Sequence, residues 1–224
     1  MKSFLLLLLS LGFSTASQLA QADDFSDGVA LYEQRDFPAA AAAFKKAADQ
    51  GKSDAQFNLG LMYLNGEGVA QNYVEAKALF EKAAQQNNVR AQVNLGRMYA
   101  KAKGVAPNYG MAVYWFNKAV ELGYADAQYS LGVLYVSGIG VSRDYDRARD
   151  LFSKAAEQKN ASAQYQIGLM YFKGKGVAID KVAALKWLIL AGDYDDAVTY
   201  RKYVESQLSK EEIEEAKAEA AQKQ

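Results

Sequence analysis

The sequence predicts an all-α fold, a solenoid of helix-turn-helix repeats, and three observations carry that reading. The 224-residue chain matches itself at a shift of 36 residues through four units. Within each unit apolar residues fall at helical spacing in two separate stripes. Each stripe is bounded by residue types that start or stop helices.

The self-match is dense. Ala55-Gln56 returns as Ala91-Gln92, Ala127-Gln128 and Ala163-Gln164, and Leu59-Gly60 returns as Leu95-Gly96, Leu131-Gly132 and Ile167-Gly168. Tyr63 becomes Tyr99, Tyr135 and Tyr171, and Gly68-Val69 becomes Gly104-Val105, Gly140-Val141 and Gly176-Val177. Ala76 becomes Ala112, Ala148 and Ala184, while Phe80 becomes Phe116, Phe152 and finally Leu188. A period of this length is the mark of stacked units, none of which can bury its apolar face alone.

The first helix of a unit carries Ala55, Leu59, Met62 and Tyr63 on one face. Gly66 and Gly68 end it, because glycine enters the left-handed conformation of a helix stop without a Cβ clash. In the second unit Ala102 stands where the first loop glycine is expected, which predicts a looser turn. The second helix opens at Asn72, repeated as Asn108, Asp144 and Asp180, with Asp36 one period upstream. These side chains accept a bond from a free backbone N–H and contribute about 1 kcal/mol each. Ala76, Leu79, Phe80 and Ala83 form its buried stripe. The mid-helix glycines 60, 96, 132 and 168 cost about 1 kcal/mol each relative to alanine, so a close approach by the paired helix is expected at each.

Residues 23–54 keep the second-helix columns at Ala40, Phe44, Ala47 and Ala48 after a shorter connection, and are read as an N-terminal capping unit. Residues 194–208 lose the register. Ser209 and Glu212 form a capping box that opens a last charged helix, the solvated end that a solenoid requires.

The pattern Ala-Gln-x-x-Leu-Gly-x-x-Tyr, Gly-x-Gly-Val, Ala-x-x-Leu/Trp-Phe-x-x-Ala resembles the Sel-one-like repeat family, relatives of tetratricopeptide repeats. The resemblance covers about three-quarters of the chain, as units 55–90, 91–126, 127–162 and 163–192, followed by capping helices in 193–224. It implies a right-handed α/α superhelix whose concave wall of first helices holds proteins or extended peptides, and it makes residues 23–54 tetratricopeptide-like.

Composition excludes much other chemistry. The chain holds no histidine and no cysteine, which removes His-dependent triads, thiol nucleophiles and nearly all structural zinc sites. No cofactor or metal is expected. The 26 basic and 26 acidic residues balance, so no long-range field favours nucleic acid. At the N-terminus Lys2, the apolar stretch Phe4 to Leu11 with Phe13, and Ala20-Gln21-Ala22 have the three parts of a secretory signal peptide, cleaved after Ala22. Its apolar run is roughly half of the twenty residues or so that span a bilayer. The expectation is a periplasmic or secreted protein without stable membrane insertion. Trp115 and Trp187 share a column with Leu79 and Leu151 and are read as core.

For function, the first-helix columns that vary between units are the informative ones. They read Asp54, Phe57, Asn58 and Leu61, then Arg90, Val93, Asn94 and Arg97, then Asp126, Tyr129, Ser130 and Val133, then Ser162, Tyr165, Gln166 and Leu169. By analogy with carboxylate-gripping tetratricopeptide proteins, Asn58, Arg90, Asn94 and Arg97 form an anion contact. Phe57, Tyr129 and Tyr165 form an aromatic shelf beside it, with Gln166 as a further polar contact. The competing reading is structural: Asp54, Arg90 and Asp126 pair between helices, and the aromatics pack between units. The favoured function is a non-enzymatic protein- or peptide-binding adaptor of the cell envelope, and the alternative is a carboxylate-based hydrolase or an envelope-glycan binder in the same groove.

Overall fold

A computed structural model describes residues 24–223 apart from 102, 103 and 105, so the predicted leader and the Ala102 turn lie outside the described residues. Twelve helices and no strand are found among them. They are α1 (Asp24–Glu33), α2 (Phe37–Asp49), α3 (Ser53–Asn65), α4 (Tyr73–Gln85), α5 (Val89–Lys101), α6 (Tyr109–Glu121), α7 (Ala125–Ser137), α8 (Tyr145–Glu157), α9 (Ala161–Lys173), α10 (Lys181–Leu190), α11 (Asp195–Glu205) and α12 (Lys210–Ala221). Consecutive helices from α1 to α10 form five antiparallel pairs, and each second helix also packs on the first helix of the next pair.

The cores lie at the junctions between pairs. Ala40, Phe44 and Ala47 of α2 pack with Ala55, Leu59 and Met62 of α3, and Ala76, Phe80 and Ala83 of α4 pack with Ala91, Leu95 and Met98 of α5. Ala148, Phe152 and Ala155 of α8 meet Ala163, Ile167 and Met170 of α9 in the same way. No pair has a complete core without its neighbours, which is the physical meaning of the repeat.

Within a pair the mid-helix glycine sets the helix separation. A Cβ added to Gly60 would lie 2.7 Å from Cε1 of Phe80, one at Gly96 2.5 Å from Cε1 of Phe116, and one at Gly132 2.6 Å from Cε1 of Phe152. The expected close approach is therefore present, and its agent is an aromatic ring from the partner helix. Gly28 faces Phe44 in the same manner at 2.5 Å, extending the column into the first pair. In the last pair Leu188 replaces the ring and the distance relaxes to 3.0 Å.

Turns follow the expected chemistry. Gly66, Gly138 and Gly174 sit in the left-handed region and donate their N–H groups to Met62, Leu134 and Met170. The second loop glycine touches the preceding pair: a Cβ at Gly140 would meet that of Tyr109 at 2.7 Å, and one at Gly176 would meet that of Tyr145 at 2.6 Å. Arg149 adds a bond to the Gly176 carbonyl. Asp36, Asn72, Asn108, Asp144 and Asp180 all accept from backbone N–H groups of the helices they open.

A buried glutamine column links pairs. Gln56, Gln92 and Gln164 donate Nε2 to the carbonyls of Ala48, Ala84 and Ala156 in the preceding second helix, each at 3.3 Å. The Oε1 of Gln56 accepts from Gln86 at 2.9 Å, and that of Gln128 accepts from Gln158 at 3.0 Å. Gln50 reaches Asp24 in the first pair at 2.8 Å. Leu122 occupies the equivalent place at the C-cap of α6, and Gln92 Oε1 is buried without a partner among the described residues. Trp115 Nε1 shares that condition. Both Trp115 and Trp187 are half-buried and packed on core clusters.

The ends are modified repeats. At the columns where α3 presents Gln56, Leu59 and Met62 to its predecessor, α1 carries Asp24, Asp27 and Ala30, which leaves a polar outer face. At the other end α12 packs on α10. The Ser209–Glu212 box is formed: Glu212 N–H donates to Ser209 Oγ at 3.2 Å and Ser209 N–H donates to Glu212 Oε2 at 2.8 Å.

Gly132→Ala gains about 1 kcal/mol of helix propensity. Overpacking against the Phe152 ring costs about 1–3 kcal/mol, so the variant should have a lower urea midpoint, and adding Phe152→Leu should recover part of the loss. A midpoint raised by Gly132→Ala alone would show that the ring does not limit the approach. Leu122→Gln should stabilise by about 1 kcal/mol by completing the Gln92 bond. The gain should disappear in a Gln92→Leu background, where no acceptor is present.

Candidate functional site

The first helices α1, α3, α5, α7 and α9 form one row, and the varied columns identified in the sequence lie along it. The structure divides them into three groups rather than one site.

At α3 and α5, the Arg90 guanidinium lies 4.6 Å over the Phe57 ring and donates to Asp54 Oδ1 at 2.8 Å. Asn88 donates to the same oxygen at 3.0 Å. Phe57 is 5% exposed and packs on Phe80 with ring centroids 5.8 Å apart. Asn58 is half-buried one helical step away, at the edge of a hollow facing α1.

In the middle of the row, Arg97 donates to Asp126 Oδ2 at 3.0 Å, and Asn160 holds the other oxygen of Asp126 at 3.1 Å. Asn94 donates to the Arg90 carbonyl at 2.9 Å, one turn back along its own helix. Both arginines are thus half-exposed members of ion pairs between neighbouring units. Arg90 pairs with Asp54 between adjacent first helices, whereas the partner of Asp126 is Arg97. An anion arriving at this wall would compete with Asp54 and Asp126 for guanidinium N–H groups, at a cost of at most about 1 kcal/mol for each exposed pair.

At the far end, Tyr165 is 6% exposed and lies between Tyr194 and Tyr200, with centroids at 5.2 and 5.8 Å. Tyr129 is half-buried against Phe152 at 6.0 Å, and burial pushes its hydroxyl above the usual tyrosine range. The aromatic shelf is therefore corrected: Phe57 and Tyr165 fill junctions between units and do not offer their faces to solvent. A first helix touches its own partner, the preceding second helix and the following first helix, so the column at 57 and 165 is covered by the third neighbour.

Sequence reasoning missed Phe172, Tyr200 and Tyr203, which extend the Tyr165 cluster with ring centroids 5.7 to 6.4 Å apart. Phe172 is seven residues beyond Tyr165 and in register with Leu64 and Val136, a signal that was available. Tyr200 and Tyr203 lie where the repeat is lost, and no column pointed to them. Burial, followed by the Asp196 carboxylate and the neighbouring tyrosines, pushes the Tyr165 hydroxyl up to about 12. No group of residues fit to hold a metal ion is present among the described residues, and none of their helices is long and apolar enough to cross a membrane.

Paired helices stacked in one line, with a varied row of first helices, define a tetratricopeptide-like helical-repeat scaffold. The Sel1 repeat profile matches residues 53–88, 89–124, 125–160 and 161–193, and a tetratricopeptide repeat profile matches 27–68. The chain belongs to the Sel1 repeat family. It is similar to a solved protective antigen of uropathogenic Escherichia coli strains with an SLR fold, at 34% identity and a TM-score of 0.82, over 89% of this chain and 44% of that one. It thus spans less than half the length of that antigen. A Sel1 repeat protein from Oxalobacter formigenes aligns at 30% identity and a TM-score of 0.77, over 90% of this chain and 83% of that one. A Klebsiella pneumoniae Sel1 repeat protein shares the fold alone, at 23% identity and a TM-score of 0.53, covering 81% and 91% of the two chains. No curated protein matches the chain.

The buried Tyr165 gives a pH signature. An unfolded tyrosine ionises near pH 10. Between pH 10 and about 12 the unfolded chain therefore releases a proton that the folded chain keeps, and stability falls with rising pH across that window. Denaturant midpoints measured through this range should fall less steeply for Tyr165→Phe than for the wild type. Parallel slopes would place the Tyr165 hydroxyl in water.

Proposed function

We propose that the protein is a non-catalytic scaffold of the cell envelope or its exterior, and that it holds a protein or extended peptide along the row of first helices. The observation that carries this reading is the contrast between columns. Positions that pack units together repeat nearly unchanged, whereas the half-buried column of Asn58 changes to Asn94, Ser130 and Gln166, and the column of Leu61, Val133 and Leu169, at the edge of the junction clusters, opens to the exposed Arg97 in the second unit. A stack needs the first set, and a ligand that meets each unit at a different point needs the second. Near-zero net charge turns such a wall toward mixed polar and apolar ligands rather than polyanions. The three-part leader over residues 1–22 supports export.

Asn94 and Arg97 lie at the centre of the row and are the residues to test. Peptides selected from a displayed random library on the purified protein should bind Asn94→Ala/Arg97→Ala about tenfold more weakly, equivalent to about 1.4 kcal/mol. The melting midpoint should move by less than about 4 °C, because only an exposed ion pair and a local helix bond are removed. Equal affinity for both proteins would place the partner on another surface.

A further inference from the structure

Where α1 and α3 face each other, the wall contains a hollow of about 260 Å³. Its floor is apolar, made by Val29, Phe44, Leu61 and Met62, and its polar rim includes Glu33, Asn58 and Glu67. Glu67 is held in place: its Oε2 accepts from the Tyr32 hydroxyl at 2.7 Å and its Oε1 accepts from Asn65 Nδ2 at 3.1 Å. Both of those donors are neutral and neither brings a counter-charge, and each carboxylate oxygen has capacity for a further hydrogen bond. The lining has two carboxylates and neither lysine nor arginine.

We propose that this hollow takes a basic side chain, lysine or arginine, of a peptide bound along the first-helix wall. The aliphatic stem covers Leu61 and Val29, and the cationic head lies between Glu33 and Glu67 with the Asn58 carboxamide as a further acceptor. Long basic side chains divide in this way between apolar and charged surroundings. This inference rests on the wall being the binding surface.

The register of the repeat adds direction. One unit further along, the columns of Leu61 and Asn65 hold Arg97, which is shared with Asp126, and Lys101, so the acidic lining of the hollow gives way to cationic side chains in the adjacent gap. Packed helices lie about 10 Å apart, a span of about three residues of extended chain. The peptide that fits has a basic residue about three positions from an acidic one.

The test is an amide chemical-shift titration of the full chain with three probes, the Nα-acetyl N-methylamides of lysine, arginine and norleucine. The lysine or arginine probe should move the signals of Asn58, Asn65 and Glu67, and norleucine should not. Glu33→Gln/Glu67→Gln should weaken that binding by about tenfold, with the remaining spectrum unchanged as the check on folding. Equal shifts from norleucine, no shift from either basic probe, or unchanged binding in the double variant would each overturn the proposal. Library peptides keep the two readings apart. If they depend on Asn94 and Arg97 yet lack a basic residue and ignore the glutamate changes, the hollow is excluded and the wall stands. If no peptide is selected, the wall fails, and the probe titration still decides the hollow.

Discussion

The fold depends on one contact made five times, a side chain of the second helix set against a glycine of the first. Phe44, Phe80, Phe116 and Phe152 occupy the space that a Cβ would take at Gly28, Gly60, Gly96 and Gly132, and Leu188 does so less tightly at Gly168. Helix propensity opposes each of these glycines by about 1 kcal/mol. The burial of a phenylalanine side chain, at roughly 1.5–3 kcal/mol, outweighs that loss. Because the ring is rigid and nearly inaccessible, it fixes the helix separation within the first four pairs, which become near-identical bricks.

Identical bricks leave identical faces, and the junctions carry the remaining order. Each second helix contributes an alanine-rich face that lets the next first helix approach closely, as Ala40, Ala47 and Ala48 do beneath Ala55. The buried glutamines give this apolar junction a direction, since Nε2 of Gln56, Gln92 and Gln164 reaches back to the preceding pair while Oε1 of Gln56 and Gln128 accepts from its own. Stacking ends only where these columns change. Asp24, Asp27 and Ala30 remove the apolar knobs from α1, and α12 covers α10 with Ala216 and Ile213 in the last cluster.

These two constraints explain how much was legible in the sequence. A glycine that must be absent of Cβ, an N-cap at Asn72 or Asp144, and a capping box at Ser209 each restrict residue type strongly, so the fold could be read from repetition and local chemistry. The candidate site was read less well because its residues answer to neighbours that a helical wheel does not include. Arg97 meets Asp126 across 29 positions, and Phe57 is covered by Arg90 of the next unit. Tyr165 is buried by Tyr194 and Tyr200, which belong to a segment with no register. The hollow at α1 and α3 was invisible for a related reason: it needs Glu33 and Glu67 from two units whose connections differ in length.

The junction positions and the outward positions proposed to meet a ligand occupy different columns of the same helix, and their energies differ in kind. The junction columns bury apolar atoms whose loss costs several kcal/mol. The wall columns hold exposed ion pairs worth about 1 kcal/mol or less. A ligand carboxylate that displaces Asp54 from Arg90, or Asp126 from Arg97, therefore exchanges one weak pair for another and gains whatever apolar contact accompanies it. The core beneath, sealed by alanines and rings, does not have to rearrange. A wall built this way can change its outward residues from unit to unit without disturbing the stack, and the sequence has done so at the column of Asn58 while keeping those of Leu59 and Gly60.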